Sequence, residues 1–416
     1  MNAAEATLAI AERLLDPQRV AEAAPSYGIA TLADGLPGTA LLHARLSAVD
    51  SVFETAARAH WDAAANCVST VRAQGAGIFG TFGGLTASLV LGSSYLSDPD
   101  ITATATARSV RWLSAHAVNI AAYQTESVRA GGSGTSWHVY DAISGLAGIG
   151  RILLAALAGG HFAAEPGLVA ALTAMTTMLT DNGETLPGWW VPTEQHPPVV
   201  AARLDPGGAA DTGLAHGVAG PLAFLALAQS AGYTVAGQTT AIRDTVGWLA
   251  RWRIDDHDWP NHVTGQELAD GAVAQRPGRR AAWCYGVPGI GRSLLHAAHA
   301  LGDEGLAQAA RADLARLGTQ HAIWDAEGPT LCHGYAGLLR CTADVDRDIA
   351  QQAAAAVMRS VDYDRPFFVA HVEHGVRHDN PGYLTGAAGV ALTLSEVAGL
   401  PSHSAPTAWD APLQVA

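Results

Sequence analysis

Apolar positions recur along this chain with helical periodicity, and the alternation that marks β-strands is rare. Six stretches carry an apolar stripe on one face and polar residues on the other, which predicts amphipathic helices. These stretches are 8–24, 104–128, 166–180, 239–253, 306–321 and 346–361. Two further stretches, 148–157 and 289–300, are apolar on most faces and predict buried helices. The pattern therefore indicates an all-α protein in which one-faced helices cover apolar ones.

A short glycine motif recurs seven times and divides the chain into similar units. Each copy is a Gly-x-x-Gly pair followed by small or apolar residues, and the copies start 45 to 72 residues apart. The first glycines of the copies are Gly35, Gly80, Gly145, Gly217, Gly286, Gly334 and Gly386. Glycine suits the start of an inner helix because backbones converge there and a positive φ is accessible to it. The repeat predicts an α/α toroid of helical hairpins, in which residues ahead of each motif gather at one end.

The repeat also suggests how the chain is divided. We expect residues 1–400 to form one toroid domain with loop insertions at about 181–211 and 254–277. Loops of this length in a compact domain are often binding loops or lids. The first insertion contains Trp189 and Trp190, which could receive a substrate. Residues 401–416 are expected to form a flexible tail.

Composition limits the classes of function. Hydrophobic residues make up 49% of the 416 residues and charged residues 15%, which is typical of a folded globular protein. The formal net charge of −14 argues against a nucleic-acid partner, and the absence of lysine excludes a catalytic lysine. The N-terminus lacks the features of a signal peptide, and no membrane span is expected. Four cysteines suggest reduced or metal-bound thiols, so we expect a cytoplasmic protein.

Two cysteines and a histidine stand directly ahead of glycine motifs. Cys284 lies two residues before Gly286, and Cys332 and His333 immediately precede Gly334. Two thiolates and an imidazole are ligands that zinc prefers, and a catalytic zinc site keeps one of four positions open. The alternative is that these cysteines are small buried apolar residues. Their shared position in the repeat favours a zinc site.

Four other polar residues occupy comparable positions. His216 is a candidate general acid or base, although a lone histidine is often a buried structural group. Asp141 could orient His216 or carry a proton, or it could cap a helix. Arg280 could stabilise an oxyanion or lie at the surface, and Tyr285 could donate a hydrogen bond or only pack. The remaining cysteines and a histidine group lack the repeat context and are interpreted as buried or loop residues: Cys67, Cys341, His371, His374 and His378.

With these residues in view, the chain resembles the lanthionine synthetase C-like family, the stand-alone cyclases of lantibiotic biosynthesis. The matching segments are Y-D-A-I-S-G-L-A-G-I-G (140–150), A-H-G-V-A-G (215–220), W-C-Y-G-V-P-G (283–289), C-H-G-Y-A-G (332–337) and P-G-Y-L-T-G-A-A-G-V-A-L (381–392). The resemblance implies an α/α toroid of seven inner and seven outer helices that holds one Zn²⁺. It implies zinc ligation by three residues and active-site positions at four: Cys284, Cys332 and His333, then Asp141, His216, Arg280 and Tyr285.

The resemblance also implies a reaction and its partners. The family adds a peptide cysteine to dehydroalanine or dehydrobutyrine in a Michael-type reaction that closes a thioether ring. The expected partners are a dehydrated precursor peptide with its leader, a separate dehydratase and an export transporter.

Three other functions remain open at this point. Some relatives in the family resemble enzymes that add glutathione, in place of an internal cysteine, to dehydrated residues. Protein prenyltransferase β subunits also use a zinc-bound thiolate in an α/α barrel, but their ligands include an aspartate and their repeats differ. A non-catalytic helical-repeat scaffold with a zinc site is the third alternative, and the presence of Asp141 and His216 argues against it.

Overall fold

A computed structural model describes residues 2–70, 76–130, 134–180, 185–202, 204, 207–254, 258–273, 281–318, 324 and 327–416. Within these ranges the chain is mostly helical. Seven helices each begin at a glycine motif, and we call them the inner helices: α3 (Leu36–Leu46), α5 (Phe82–Gly92), α8 (Leu146–Ala158), α11 (Ala219–Ser230), α14 (Val287–Leu301), α16 (Tyr335–Thr342) and α18 (Ala387–Val397).

Seven longer or more polar helices alternate with these, and we call them the outer helices. They are α1 (Ala3–Arg13), α4 (Ser51–Thr70), α6 (Ala103–Arg129), α9 (Glu165–Leu179), α12 (Gln238–Arg251), α15 (Glu304–Arg316) and α17 (Arg347–Arg359). Four short helices lie in the connections: α2 (Pro17–Ala23), α7 (Trp137–Tyr140), α10 (Pro198–Ala201) and α13 (Gly265–Asp270).

The two sets of helices form concentric rings. Each inner helix contacts the next in chain order, and α18 contacts α3, which closes the inner ring. Each outer helix packs on the inner helix of its own unit, and α1 covers α18. All eleven residues of α3 are buried, as expected for a helix that is enclosed on every side. The predicted α/α toroid of seven inner and seven outer helices is confirmed.

The glycines allow each inner helix to begin against its own preceding loop. A methyl group built on Gly389 would lie 1.9 Å from the carbonyl oxygen of Tyr383, and one on Gly337 would lie 2.0 Å from that of Leu331. No side chain fits at such distances, so close backbone approach, and not backbone conformation, requires most of these glycines. Among the glycines of the seven motifs, only Gly286 has a positive φ, at 84°.

The loops ahead of the inner helices are joined by a closed circuit of backbone hydrogen bonds, which we call the backbone ring. Each N–H donates to a carbonyl of a neighbouring unit at 2.9–3.5 Å. The donor and acceptor pairs are Ala33 to Phe79, Phe79 to Ile143, Ala142 to Ala215, Ala215 to Cys284, Cys284 to Cys332, Cys332 to Leu384 and Leu384 to Ala33. This circuit gathers the seven loops at one end of the toroid, as the repeat predicted.

The second copy of the motif is displaced by one residue from its predicted position. Thr81, not Gly80, caps α5, and Phe79 is the member of the backbone ring. A methyl group on Gly84 would press on Leu32, just as one on Gly38 would press on Tyr383. The functional equivalent of the pair is therefore Thr81 with Gly84.

Two further expectations are wrong. The helix predicted over 8–24 is two helices, because Pro17 starts α2 with Asp16 as its N-cap and ends continuity with α1. The expected flexible tail is folded over residues 409–415, where Trp409, Asp410 and Leu413 are fully buried. Its apolar side chains supply the reason, because burial inside the ring removes them from water.

Short strands order the described parts of both insertions and a later loop. β1 (Ala209–Asp211) pairs antiparallel with β2 (His262–Thr264), so the two insertions are joined. A hairpin of β3 (His371–Glu373) and β4 (Val376–His378) follows the last outer helix. Strand β1 matters for the site because it holds Asp211.

One described segment, Phe162–Leu179, is long and apolar enough by length and composition to cross a membrane. It consists of α9 and the turn before it, and half of its residues are buried in the fold. A core helix of a soluble protein satisfies the same criteria.

Candidate active site

The three predicted metal ligands converge at the end of the toroid where the backbone ring lies. The ligating atoms of Cys284, Cys332 and His333 all lie within 4.8 Å of one another. Zinc with bonds of 2.0–2.3 Å to nitrogen and sulfur places neighbouring ligand atoms about 3.8 Å apart in a tetrahedron, so the group needs little closure. Cys284 and His333 are buried and Cys332 is half-buried, which leaves an open side. This donor set fits a zinc ion.

The backbone ring explains why the two cysteines meet. They are consecutive members of it, and the N–H of Cys284 donates to the carbonyl of Cys332 at 3.3 Å. His333 is held from the other side, because the N–H of Glu327 donates to its carbonyl at 2.9 Å. Cys284 and Cys332 are 48 residues apart in sequence, but they meet in the fold because they belong to adjacent units.

His371, which the sequence analysis assigned to a loop, packs against the predicted ligand His333. The two ring centroids are 4.8 Å apart, and Nδ1 of His371 lies 3.0 Å from Oγ1 of Thr330. Burial, with smaller contributions from His333 and His378, lowers the pKa of His371 to about 4. A carboxylate oxygen of Glu327 lies 3.9 Å from Nε2 of His333. His371 and Glu327 therefore both lie against the imidazole of His333.

His216 and Asp141 form a hydrogen-bonded pair. Nδ1 of His216 lies 2.6 Å from Oδ2 of Asp141. The other oxygen of Asp141 accepts backbone N–H bonds from Ile143, Ser144 and Gly145 at 2.6–3.1 Å, so its position is fixed by the start of α8. Asp141 therefore holds the loop ahead of α8 and the histidine together, whereas the helix-cap alternative does not apply, because Gly145 is the N-cap of α8.

The net effect of these surroundings is to raise the pKa of His216 above its ordinary value. Burial alone lowers it, but the hydrogen bond and charge of Asp141 outweigh burial, and Asp211 and Cys284 act in the same direction. The N–H of Ala215, the residue before His216, donates to the carbonyl of Cys284 at 3.2 Å, so the two loops that carry His216 and Cys284 lie side by side. The imidazole is half-buried, with 28% of its side chain exposed.

An aromatic side chain and a buried carboxyl complete the surroundings of His216. The indole of Trp137 stacks on the imidazole with ring centroids 4.1 Å apart, and its Nε1 donates to Oδ2 of Asp211 at 2.8 Å. Asp211 is buried, and burial raises its pKa to about 7. Near neutral pH this carboxyl is therefore partly protonated.

Tyr285 directly follows Cys284 in sequence and packs close to the segment that carries Asp211. Burial, followed by the charges of Asp211 and Cys284, raises the pKa of its hydroxyl well above 10, so it stays protonated at neutral pH. Its ring packs against Gly213, where a methyl group would lie 2.5 Å from Cδ1 of Tyr285. Arg280, the fourth predicted active-site residue, lies outside the described residues.

Sequence reasoning missed four residues of this site. Glu327 and Asp211 lie on a loop and a short strand whose positions depend on tertiary contacts, and no local signal marks them, whereas His371 was noticed in a histidine group but interpreted as a loop residue. Trp137 carried a weak signal, because it lies one helical turn ahead of Asp141 on α7.

Comparison with known proteins agrees with this architecture. The chain is 25% identical to nisin biosynthesis protein NisC of Lactococcus lactis subsp. lactis over 261 residues, which span 62% of this chain and 60% of that protein. The solved structure of nisin cyclase superposes with a TM-score of 0.75 over 94% of this chain and 93% of that chain, at 20% identity, which shows a shared fold. The family model described as lanthionine synthetase C-like protein matches residues 29–400. The chain therefore belongs to the lanthionine synthetase C-like family.

Proposed function

We propose that this protein is a zinc-dependent lanthipeptide cyclase that forms lanthionine or methyllanthionine rings in a dehydrated precursor peptide. The observation that carries the proposal is the convergence of Cys284, Cys332 and His333 with the His216–Asp141 pair at one end of the toroid. A metal-ligand group with an open side, next to an oriented acid–base residue, suits the addition of a thiol to an activated double bond. Family membership and the relation to NisC support the same reaction class.

The three ligand residues would hold Zn²⁺ and leave one position for the substrate. Two thiolates and a neutral imidazole balance the charge of the ion, so a third thiolate can still be accommodated. When bound, the ion would lower the pKa of a peptide thiol and hold its thiolate ready near neutral pH. Cys332, the half-buried ligand, marks the side from which a peptide can approach.

The remaining residues supply the proton and stabilise charge. The peptide sulfur forms a bond to Cβ of the dehydro residue, the π electrons of its C=C bond move toward the adjacent carbonyl, and Cα takes a proton. His216 donates that proton from Nε2, because Nδ1 is held by Asp141. The proton lost by the thiol replaces it, so the ring closes without net change in composition.

Two groups would stabilise the enolate that forms during this step. Tyr285 remains protonated and can donate a hydrogen bond to the enolate oxygen. Arg280 is proposed to contribute positive charge, on the basis of its position four residues before Cys284 and of the family resemblance alone.

The proposal includes partners and a location. The substrate would be a precursor peptide with its leader, supplied by a separate dehydratase and passed to an export transporter. These events would take place in the cytoplasm.

The test is a ring-closure assay on a synthetic peptide that contains one cysteine and one dehydroalanine. Ring closure leaves the peptide mass unchanged and removes the free thiol, so labelling with a thiol-alkylating reagent is lost. We expect this loss with the zinc-loaded protein and not with the zinc-free protein. A parallel reaction with added glutathione tests for the glutathione-adding activity, since an enzyme of that kind would increase the peptide mass by one glutathione. Bound zinc without either product would favour the scaffold function.

A further inference from the structure

The segment Trp409–Ala416 is built into the interior of the toroid. Trp409, Asp410, Leu413 and Gln414 are fully buried, and residues Ala411–Leu413 form a short 3₁₀ helix. This helix contacts α8, so the segment lies against the inner ring. No residue of the segment belongs to the candidate site, and the proposed mechanism gives it no role.

Three arginines bind this segment, and they occupy the same position in three inner helices. Arg151, Arg292 and Arg340 each lie six residues after the first glycine of their motif. Arg151 donates to the carbonyl of Ala416 at 3.0 Å, Arg292 donates to the carbonyl of Val415, and Nε of Arg340 donates to Asp410 at 3.0 Å. Charge-assisted bonds of buried guanidinium groups are strong, so the segment is held at several points.

One side chain also connects this segment to the loop that carries Cys284. Trp283, which directly precedes Cys284, is fully buried, and its Nε1 donates to the carbonyl of Leu413 at 2.8 Å. Its ring lies 6.2 Å from that of Phe79, a member of the backbone ring on another unit. A methyl group on Gly337, at the start of α16, would lie 3.2 Å from Cβ of Trp283.

We propose that Trp283 is a positioning residue that fixes Cys284 for metal binding, with Trp409–Ala416 as its anchor. The indole is pinned at its polar end by Leu413 and packed on its apolar face, so its backbone cannot shift without breaking these contacts. Cys284 shares a peptide bond with that backbone. Groups that orient metal ligands commonly change metal affinity by 10- to 100-fold when they are lost. The inference rests on the proposed zinc site.

The decisive experiment compares zinc affinity in the variants Trp283→Phe and Trp61→Phe. Trp61 on α4 is a matched control, because its buried Nε1 also donates a hydrogen bond at 2.8 Å, to Ser88 on α5, in units that do not carry Cys284 or Cys332. Zinc dissociation constants are measured by competition with a chromophoric chelator, and thermal unfolding of the zinc-free proteins gives the loss of stability. We expect zinc affinity to fall about tenfold or more in Trp283→Phe and less than twofold in Trp61→Phe.

Equal zinc affinity in the two variants would overturn the positioning role, whatever their stabilities. Wild-type protein that binds no zinc would instead refute the proposed function, so the two failures are distinguishable. If Trp283→Phe does not fold, Arg292→Gln provides the second test, because it loosens Val415 without touching the loop. Zinc affinity should then fall by about two- to fivefold, a fraction of the effect expected for the direct contact. An unchanged affinity in folded Arg292→Gln would contradict the anchor.

Discussion

The two halves of the backbone ring have the same framework and different chemistry. On one side, Cys284 donates to the carbonyl of Cys332 at 3.3 Å. On the other side, Ala33 donates to the carbonyl of Phe79, also at 3.3 Å. The first pair belongs to the candidate metal group, whereas the second pair is apolar.

The difference shows that the repeat supplies geometry and that single positions within it supply function. Residues one and two places ahead of the first residue of each motif lie at the end of the toroid that carries the backbone ring. His216, Tyr285 and His333 take one of these places in three consecutive units. The equivalent place in the seventh unit holds Thr385, which donates to Asp34 of the first unit and helps to join the ends of the ring. In the proposed function, the half that carries His216, Cys284 and Cys332, which we call the active half, binds metal and substrate, while the Thr385–Asp34 contact of the other half helps to close the toroid.

The largest effect is expected at the acid–base residue of the active half. His216→Ala should lower the rate of ring closure by about 100- to 10,000-fold, because general acid catalysis contributes this much. The measurement is the initial rate of thiol loss on the dehydroalanine peptide.

Zinc content serves as the control for this variant, and it should match the wild type, since His216 is not a ligand in the account. A variant that loses zinc would show that His216 holds the metal. A variant that keeps the full rate would remove it from the mechanism.

The next effect compares a glycine from each half. Gly337→Ala and Gly35→Ala should both destabilise the protein by about 1–3 kcal/mol, because the added methyl group meets the carbonyl oxygen of Leu331 at 2.0 Å in the first variant and that of Ile29 at 2.1 Å in the second. Chemical denaturation with urea measures both. Only Gly337→Ala should also weaken zinc binding, since the displaced carbonyl belongs to Leu331, next to Cys332. Loss of zinc in both variants would mean that the halves are not independent.

The smallest effect concerns the buried carboxyl beside Trp137. The folded-state pKa of Asp211 is raised to about 7 by burial, above its unfolded value of 3.8. Between these values the folded state binds more protons, so the contribution of Asp211 to stability is present at low pH and is lost as the pH rises to 7. In Asp211→Asn the amide does not titrate, so this loss of stability at higher pH is absent. The amide oxygen can still accept the hydrogen bond from Trp137.

The stability of the variant relative to the wild type should therefore rise as the pH increases from 4 to 8. Urea denaturation at both pH values gives the difference. A constant difference across this range would contradict the raised pKa. Taking the difference between proteins removes the opposite effect of His43 and His296, whose pKa values burial lowers to about 3.

The sequence predicted the toroid because its signals are local and repeated. An apolar helix after each glycine pair is readable from periodicity, and the pairs mark where the helices begin. The cysteine group was predictable for the same reason, since Cys284 and Cys332 stand at the same position in two units. The one-residue shift at Thr81 was not, because the adjacent glycines Gly80, Gly83 and Gly84 offer more than one pairing.

Other features depend on contacts between distant segments. Asp211 binds Trp137 from a strand that pairs with the second insertion, and His371 reaches His333 from a short hairpin. The burial of Trp409–Val415 depends on Arg151, Arg292 and Arg340, whose shared position in three units could have been noticed. The partner of these arginines could not, because it lies outside the repeat.

Elemental analysis for zinc determines whether Cys284 and Cys332 hold a metal ion. It compares the wild type with Cys284→Ala, Cys332→Ala and, as a matched control, Cys341→Ala. Cys341 is fully buried, and burial raises the pKa of its thiol to about 12, so it should not bind metal. We expect about one zinc per chain in the wild type and Cys341→Ala, and almost none in Cys284→Ala and Cys332→Ala. Folded wild-type protein without zinc, or zinc retained in both ligand variants, would contradict this expectation.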